Sequence, residues 1–277
     1  MRGVSVAHTN VHTVKNDTII ECDDLLAIEE PLEMRIGYGP EHNRQEFPLA
    51  VTMRTPGHDK ELTIGFLRSE SIIGKIDDII SAKHCVSDPN TYNVFRVELS
   101  YDTCFEKEQL TRNFFTSSSC GLCGKATIDA ITRVIIRKPN PVLDINKSTI
   151  HQLAHILGTS QSIFKHTGSI HATGIFDATG ELLFSTEDVG RHNAMDKAIG
   201  RALIENISLE DKLMMLSGRI GFELVQKALI AGCRAIAAIG APTSLAVELA
   251  NEHDMLLIGF AKNNKYNIYS GISYLTE

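Results

Sequence analysis

A chain of 277 residues in which 43% are hydrophobic and 22% charged reads as a globule, with enough apolar side chain for one large core or two smaller ones. Its formal net charge of -7 argues against a general nucleic-acid binder, which needs clustered Lys and Arg for phosphate contacts. No run approaches the roughly 20 apolar residues of a membrane helix, and the opening MRGVSVAHTNVHTV is polar where an export signal is apolar, so we expect a cytoplasmic protein with no nucleic-acid or membrane partner.

The first twenty residues mix polar and β-branched types without a clear period and read as a mobile arm. From Glu30 to Leu99 the pattern is that of a small α+β unit. PLEMRIGY and PLAVTMRT read as paired strands, and YNVFRVEL alternates at the strand period. Between them KELTIGFLRSE reads as a helix with Asp59 as its cap and Leu62, Phe66 and Leu67 as its apolar stripe. RKPNPVLD carries two prolines, which interrupt helix and central strand alike. A domain boundary placed there gives an N-terminal α+β domain over 1–138 and an α/β domain over 139–277. STIHQLAHILG then reads as a helix capped by Ser148, with Ile150, Leu153, Ala154 and Leu157 on one face and Gly158 at its end.

GIFDATGELLFS reads as a hairpin turning at Asp177 to Gly180. RHNAMDKAIGRALIE is a helix whose Met195, Ala198, Ile199, Ala202 and Leu203 share a face; the preceding EDVGRH offers Asp188 as its cap, and Arg191 and His192 as candidate pocket residues. LMML, AIAAI and MLLIGF are short, continuously apolar strands separated by helices at IGFELVQKALIAG and SLAVELANEH. This βαβαβ order predicts a mostly parallel sheet with right-handed crossovers.

In such sheets ligands bind beyond the carboxyl ends of the strands, where helix N-termini present N–H groups to anions. Three loops leave those ends: Ser217-Gly218-Arg219, Gly240 to Ser244, and Phe260 to Lys265. They supply glycines, the hydroxyls of Thr243 and Ser244, and the cations Arg219, Lys262 and Lys265, groups suited to a phosphorylated ligand. Neither G-x-x-x-x-G-K-S/T nor G-x-G-x-x-G occurs, so the ATP-hydrolysing and dinucleotide-dehydrogenase templates fail.

Of six cysteines, Cys22, Cys85, Cys104 and Cys233 stand alone and read as packing residues. Cys120 and Cys123, in TSSSCGLCGKATIDA, form the one close pair. Zinc would need two further ligands, for which His151, His155, His166, His171 and His192 are candidates, though HQLAH lies on an amphipathic helix. Thiol–disulfide exchange of the thioredoxin type wants a buried strand before the pair, and FFTSSSC is too polar. The third chemistry is sulfur carriage: Gly121 and Gly124 leave the sulfurs uncrowded, while Lys125 and the start of a following helix favour a thiolate. No resident metal is expected.

CGLCGK, EDVGRHNAMDKAIGRAL, SGRIGFELVQKALIAG, APTSLAVELA and GFAKNNKYNIYS, in this order, closely resemble the FdhD family, the formate dehydrogenase accessory sulfurtransferases. With ELTIGFLRSESII and TGSIHATGIFD the likeness covers the chain from about Glu30 onward. The resemblance implies a cytidine deaminase-like α/β fold for the C-terminal part, a smaller N-terminal α+β domain and a homodimer. It implies an enzyme, a sulfurtransferase that receives sulfur from a cysteine desulfurase and delivers it to the molybdenum bis-molybdopterin guanine dinucleotide destined for formate dehydrogenase. Cys120 matches the persulfide-bearing residue and Cys123 its partner. Phe260, Ala261, Lys262, Asn263, Asn264 and Lys265 match the cofactor-binding stretch, for which a guanine nucleotide such as GDP would be a mimic. The alternative is a non-enzymatic chaperone that binds the cofactor without handling sulfur. Deamination is not implied, because Thr173 stands where a zinc deaminase carries Glu two residues after its His, here His171.

Overall fold

The computed structural model describes residues 4–85, 93–103, 105, 143–262 and 264–277. Cys104, Cys120, Cys123, Asn263 and the boundary drawn between 138 and 139 lie outside the described residues. Strands β1 (Val6–Lys15) and β2 (Thr18–Ala27) pair antiparallel, from Val6 opposite Ala27 to Lys15 opposite Thr18. Asn16 and Asp17 between them both have positive φ, 48° and 61°, which a two-residue hairpin turn of type I′ requires and which Asn and Asp tolerate. The expected arm is therefore an ordered hairpin. Cys22 on it is exposed rather than packed, and Cys85 is half-buried. Cys233 is the packing residue expected, fully buried, with burial pushing its thiol up to about 11.

Strands β3 (Glu30–Tyr38), β4 (Gln45–Arg54), β5 (Ile79–His84) and β6 (Val94–Leu99) form a sheet in the order β4-β3-β6-β5. Leu32, Met34 and Ile36 of β3 and Phe95, Val97 and Leu99 of β6 alternate inward at the strand period. Helix α1 (Asp59–Ser69) adds Leu62 and Leu67 to that core; each, fully buried, contributes about 2 kcal/mol. Asp59 does not cap this helix. It is the first helical residue, the cap position is His58, and the Asp59 carboxylate instead accepts two hydrogen bonds from Arg54.

The second sheet runs β13-β12-β11-β10-β8-β9, from β8 (His171–Phe176), β9 (Leu182–Asp188), β10 (Leu213–Leu216), β11 (Ala235–Ala238), β12 (Leu256–Lys262) and β13 (Lys265–Ser270). Only β10–β11 and β11–β12 are parallel; β8–β9, β8–β10 and β12–β13 are antiparallel. The sheet is thus mixed, not mostly parallel, because a hairpin flanks the βαβαβ run on each side. Helices α4 (Arg191–Ile204), α5 (Phe222–Ala231) and α6 (Ser244–Glu252) pack on one face around Met195, Ile199, Leu224 and Leu249. Helix α2 (Lys147–Ser160) covers the other with Ile150, Leu153 and Leu157, and the short α3 (Ser162–Thr167) follows it. Asn146, not Ser148, caps α2: its side chain accepts from the Ser148 N–H, and Gly158 lies inside the helix. A two-residue pair, β7 (Ile145–Asn146) with β14 (Leu275–Thr276), ties the chain end to α2.

The two sheets are joined through α1 and α4. A Cβ on Gly65 would collide with the Asp196 carbonyl, and one on Gly200 with the Glu61 carbonyl, so the two helices meet backbone to backbone where only glycine fits. Leu203 accordingly turns to the first core instead of sharing the face of Ala198 and Ala202. Buried charge flanks this contact. Asp188 accepts from Gly190 N, Asn193 Nδ2 and Thr55 N and pairs with Lys197 at 2.7 Å, both side chains essentially inaccessible. Asp188 thus bonds the amide of Gly190, the cap position, rather than capping α4 itself. Lys227 of α5 pairs with Asp196 of α4 at 3.0 Å and donates to Ser69 of α1.

Candidate anion site at the carboxyl edge of the sheet

Strand direction decides which residues share an edge. β10, β11 and β12 are parallel, and β8 is antiparallel to β10, so the start of β8 and the end of β9 return to the carboxyl ends of the parallel strands. The N-termini of α4, α5 and α6, helices of 14, 10 and 9 residues, all open on this edge. Each carries partial positive charge from its free N–H groups.

Glycines let the loops crowd together here. A Cβ on Gly218 would come within 3.2 Å of His171 Nδ1 and 3.9 Å of Arg191 Cδ. One on Gly240 would come within 3.0 Å of Arg219 Cα, and one on Gly259 within 2.8 Å of Pro242 Cδ. Backbone hydrogen bonds Gly240 N to Gly218 O, 3.1 Å, and Phe260 N to Gly240 O, 3.1 Å, lace the three loops side by side. The contacts trace a continuous rim from Arg191 through Arg219 to Phe260.

Arg191, Arg219, Lys262 and Lys265 are all exposed on this rim, and none of their side chains has a hydrogen bond or ion pair among the described residues. Lys262 and Lys265 sit opposite each other where β12 turns into β13. Four unpaired cations beside three helix N-termini, in an acidic protein, make a local field that attracts anions. His171, at the first position of β8, is held below the usual imidazole range by burial and by the Arg191 charge, partly opposed by Asp188. His192 bonds Glu223 at 2.9 Å, and that hydrogen bond, against the cost of burial, keeps the Glu223 carboxyl below its usual range.

Phe260 adds an apolar surface. It has φ 55°, a left-handed value unusual for an aromatic residue, and is 43% exposed. The bulge between Gly259 and Lys262 turns it out of a strand whose other central residues are buried. Ala261 points the other way into the core at 2% exposure, so only its backbone is available to a ligand. Asn264 also adopts φ 55°. Thr243 caps α6, accepting from Ala246 N at 3.4 Å, and Ser244 opens that helix exposed. The structure therefore brings Arg219, Thr243, Ser244, Phe260, Lys262, Asn264, Lys265 and His192 to one edge. It adds Glu223, which had no signal in the sequence beyond its place at a helix start. Among the described residues no cluster of three or more His, Cys, Asp or Glu is placed to hold a metal ion, and no helix is long and apolar enough to cross a membrane.

Comparison with known proteins bears on this edge. The family model for the FdhD/NarQ family matches residues 28–275. The chain belongs to the FdhD/NarQ family. It is 44% identical over 259 residues to a sulfur carrier protein FdhD of Nocardia farcinica, covering 91% of this chain and 88% of that one. A protein of the same name from Sulfurisphaera tokodaii is 42% identical over 96% of this chain and 98% of its own; one from Mycobacterium tuberculosis is 37% identical over 99% and 100%. A solved structure described as a formate dehydrogenase accessory protein, from Desulfotalea psychrophila, has the same fold, with TM-score 0.75, 19% identity and coverage of 99% and 100%. The FdhD/NarQ match spans both sheets and the seam between them, and every rim residue lies inside it.

Proposed function

We propose that this chain is a cytoplasmic, homodimeric sulfur carrier for formate dehydrogenase, taking sulfur from a cysteine desulfurase and delivering it to the molybdenum bis-molybdopterin guanine dinucleotide bound at the rim. The reading includes a cytidine deaminase-like α/β fold for the C-terminal unit. Family membership over residues 28–275 supports the sulfur chemistry. The rim of Arg191, Arg219, Lys262 and Lys265, whose side chains have no ion partner among the described residues, is the observation that carries the choice of ligand, because phosphates need such cations and helix N-termini. Phe260 offers its face to the guanine ring. The metal-bearing cofactor is the substrate here.

The Cys120 thiolate attacks the outer sulfur of the desulfurase persulfide; the donor S–S bond breaks and its electron pair leaves on the desulfurase thiolate. Cys123 thiolate then attacks the inner sulfur of the Cys120 persulfide, forming a Cys120–Cys123 disulfide and releasing hydrosulfide for the metal. A dithiol reductant resets the pair. Incubation with a desulfurase and cysteine, followed by peptide mass spectrometry, should place one added sulfur on the Cys120 peptide. Cys120→Ala should abolish loading and leave the dehydrogenase inactive. A Cys120→Ala protein that still activates the dehydrogenase would establish the chaperone alternative instead.

A further inference from the structure

The rim's arginines and lysines have no side-chain ion partner among the described residues, and one couple differs from them. His192 Nε2 and Glu223 Oε2 lie 2.9 Å apart. His192 is the second residue of α4 and Glu223 the second residue of α5, so the pair bridges two helix N-termini. Glu223 is 59% exposed and His192 31%, which leaves the couple open to exchange with a ligand. The groups facing Glu223 are all cationic or able to become so: His192 and Arg191 from α4, and Lys227 one turn along α5. The carboxylate thus lies in the first turn of one helix and bonds the first turn of another, where helix N-termini favour negative charge.

We propose that Glu223 is a selectivity residue, a resident anion that holds His192 and closes the α4–α5 pole to small anions. The proposal rests on reading the rim as a phosphate site. A free orthophosphate approaching this pole meets a like charge and a His donor already engaged, so its attraction to the helix ends is largely cancelled. A nucleoside diphosphate also reaches Arg219, Lys262 and Lys265, and those contacts compensate for displacing Glu223. Discrimination then comes from a repulsive element against the wrong ligand as much as from attraction to the right one.

The test titrates inorganic phosphate, pyrophosphate and GDP calorimetrically into the full chain and into Glu223→Gln, which keeps shape and removes charge. Phosphate and pyrophosphate should bind the variant about tenfold tighter, the size of a charge effect at a partly exposed helix end, and GDP only about threefold, so the preference for the nucleotide narrows. His192→Leu in the Glu223→Gln background should reverse part of the gain, because leucine has no N–H to donate to the anion. Unchanged phosphate affinity in Glu223→Gln, or an equal gain for all three ligands, overturns the proposal. If neither protein binds GDP, the cofactor-site reading falls by itself. A phosphate gain in the variant would still support the resident anion, and its absence would still refute it.

Discussion

The seam between α1 and α4 and the rim at the sheet edge are built from neighbouring residues of one motif, EDVGRHNAMDK, yet they handle charge in opposite ways. In the seam, Asp188 receives four donors, and Lys197 pairs with Asp188 and donates hydrogen bonds to the Thr55 and Glu187 carbonyls. Three residues after Asp188, the last residue of β9, Arg191 is exposed and finds no such partner among the described residues. A buried ion must be fully paired or the fold loses several kcal/mol. An exposed cation costs little to leave open. Completeness of pairing, read with burial, therefore separates the charges that hold this molecule together from those that face a ligand.

Lys197→Met is the strongest way to break that distinction. It leaves Asp188 charged and buried with its ion partner gone, and urea denaturation should show a loss of about 3–5 kcal/mol. Ligand affinity per folded molecule should change little. The double variant Lys262→Ala, Lys265→Ala is the mirror image. Both side chains are exposed, so stability should stay within about 0.5 kcal/mol. GDP affinity should fall about 10- to 100-fold, as expected when charge-assisted phosphate contacts are lost. If the rim pair destabilised the fold as much as the seam lysine, or GDP binding were untouched, the contrast would not hold.

Much of this was legible in the sequence because the period carries it. The apolar runs at 213–216 and 235–238 and the first four residues of 256–262 are fully buried strand as their composition requires, and strand polarity alone placed Arg219, Thr243 and Lys262 on one edge. The rest depends on non-local pairing. That β8 returns antiparallel beside β10 brings His171 to the rim, and no local pattern in TGSIHATG encodes the neighbour it chooses. Asp59 and Asp188 look like caps because a cap needs only a short acceptor before a helix. Here Arg54, at the end of the preceding strand, and Lys197, the seventh residue of its helix, compete for those carboxylates and win. The hairpin at Asn16-Asp17 was a turn signal hidden by strands with little burial on either face.

The finest test of the comparison is His171, which feels both regions at once. Burial and Arg191 of the rim lower its pKa, while Asp188 of the seam raises it and His192 lowers it further. The folded value therefore lies below the unfolded one, near 6.5. Above about 6.5 both states are neutral and the folded protein has its full stability; as pH falls through that value the unfolded chain takes up the proton first, and stability declines. Arg191→Gln removes the rim's contribution and leaves the seam's in place, so the His171 pKa measured by NMR titration should rise toward the ordinary range, and the decline in stability between pH 7 and pH 5 (about the span over which imidazoles titrate) should become shallower. Saturating pyrophosphate should move the same resonance in the same direction, since an anion beside Arg191 screens the charge that the substitution deletes. A His171 pKa indifferent to both changes would mean that the seam alone sets the environment at the start of β8, and that the field of the rim does not reach it.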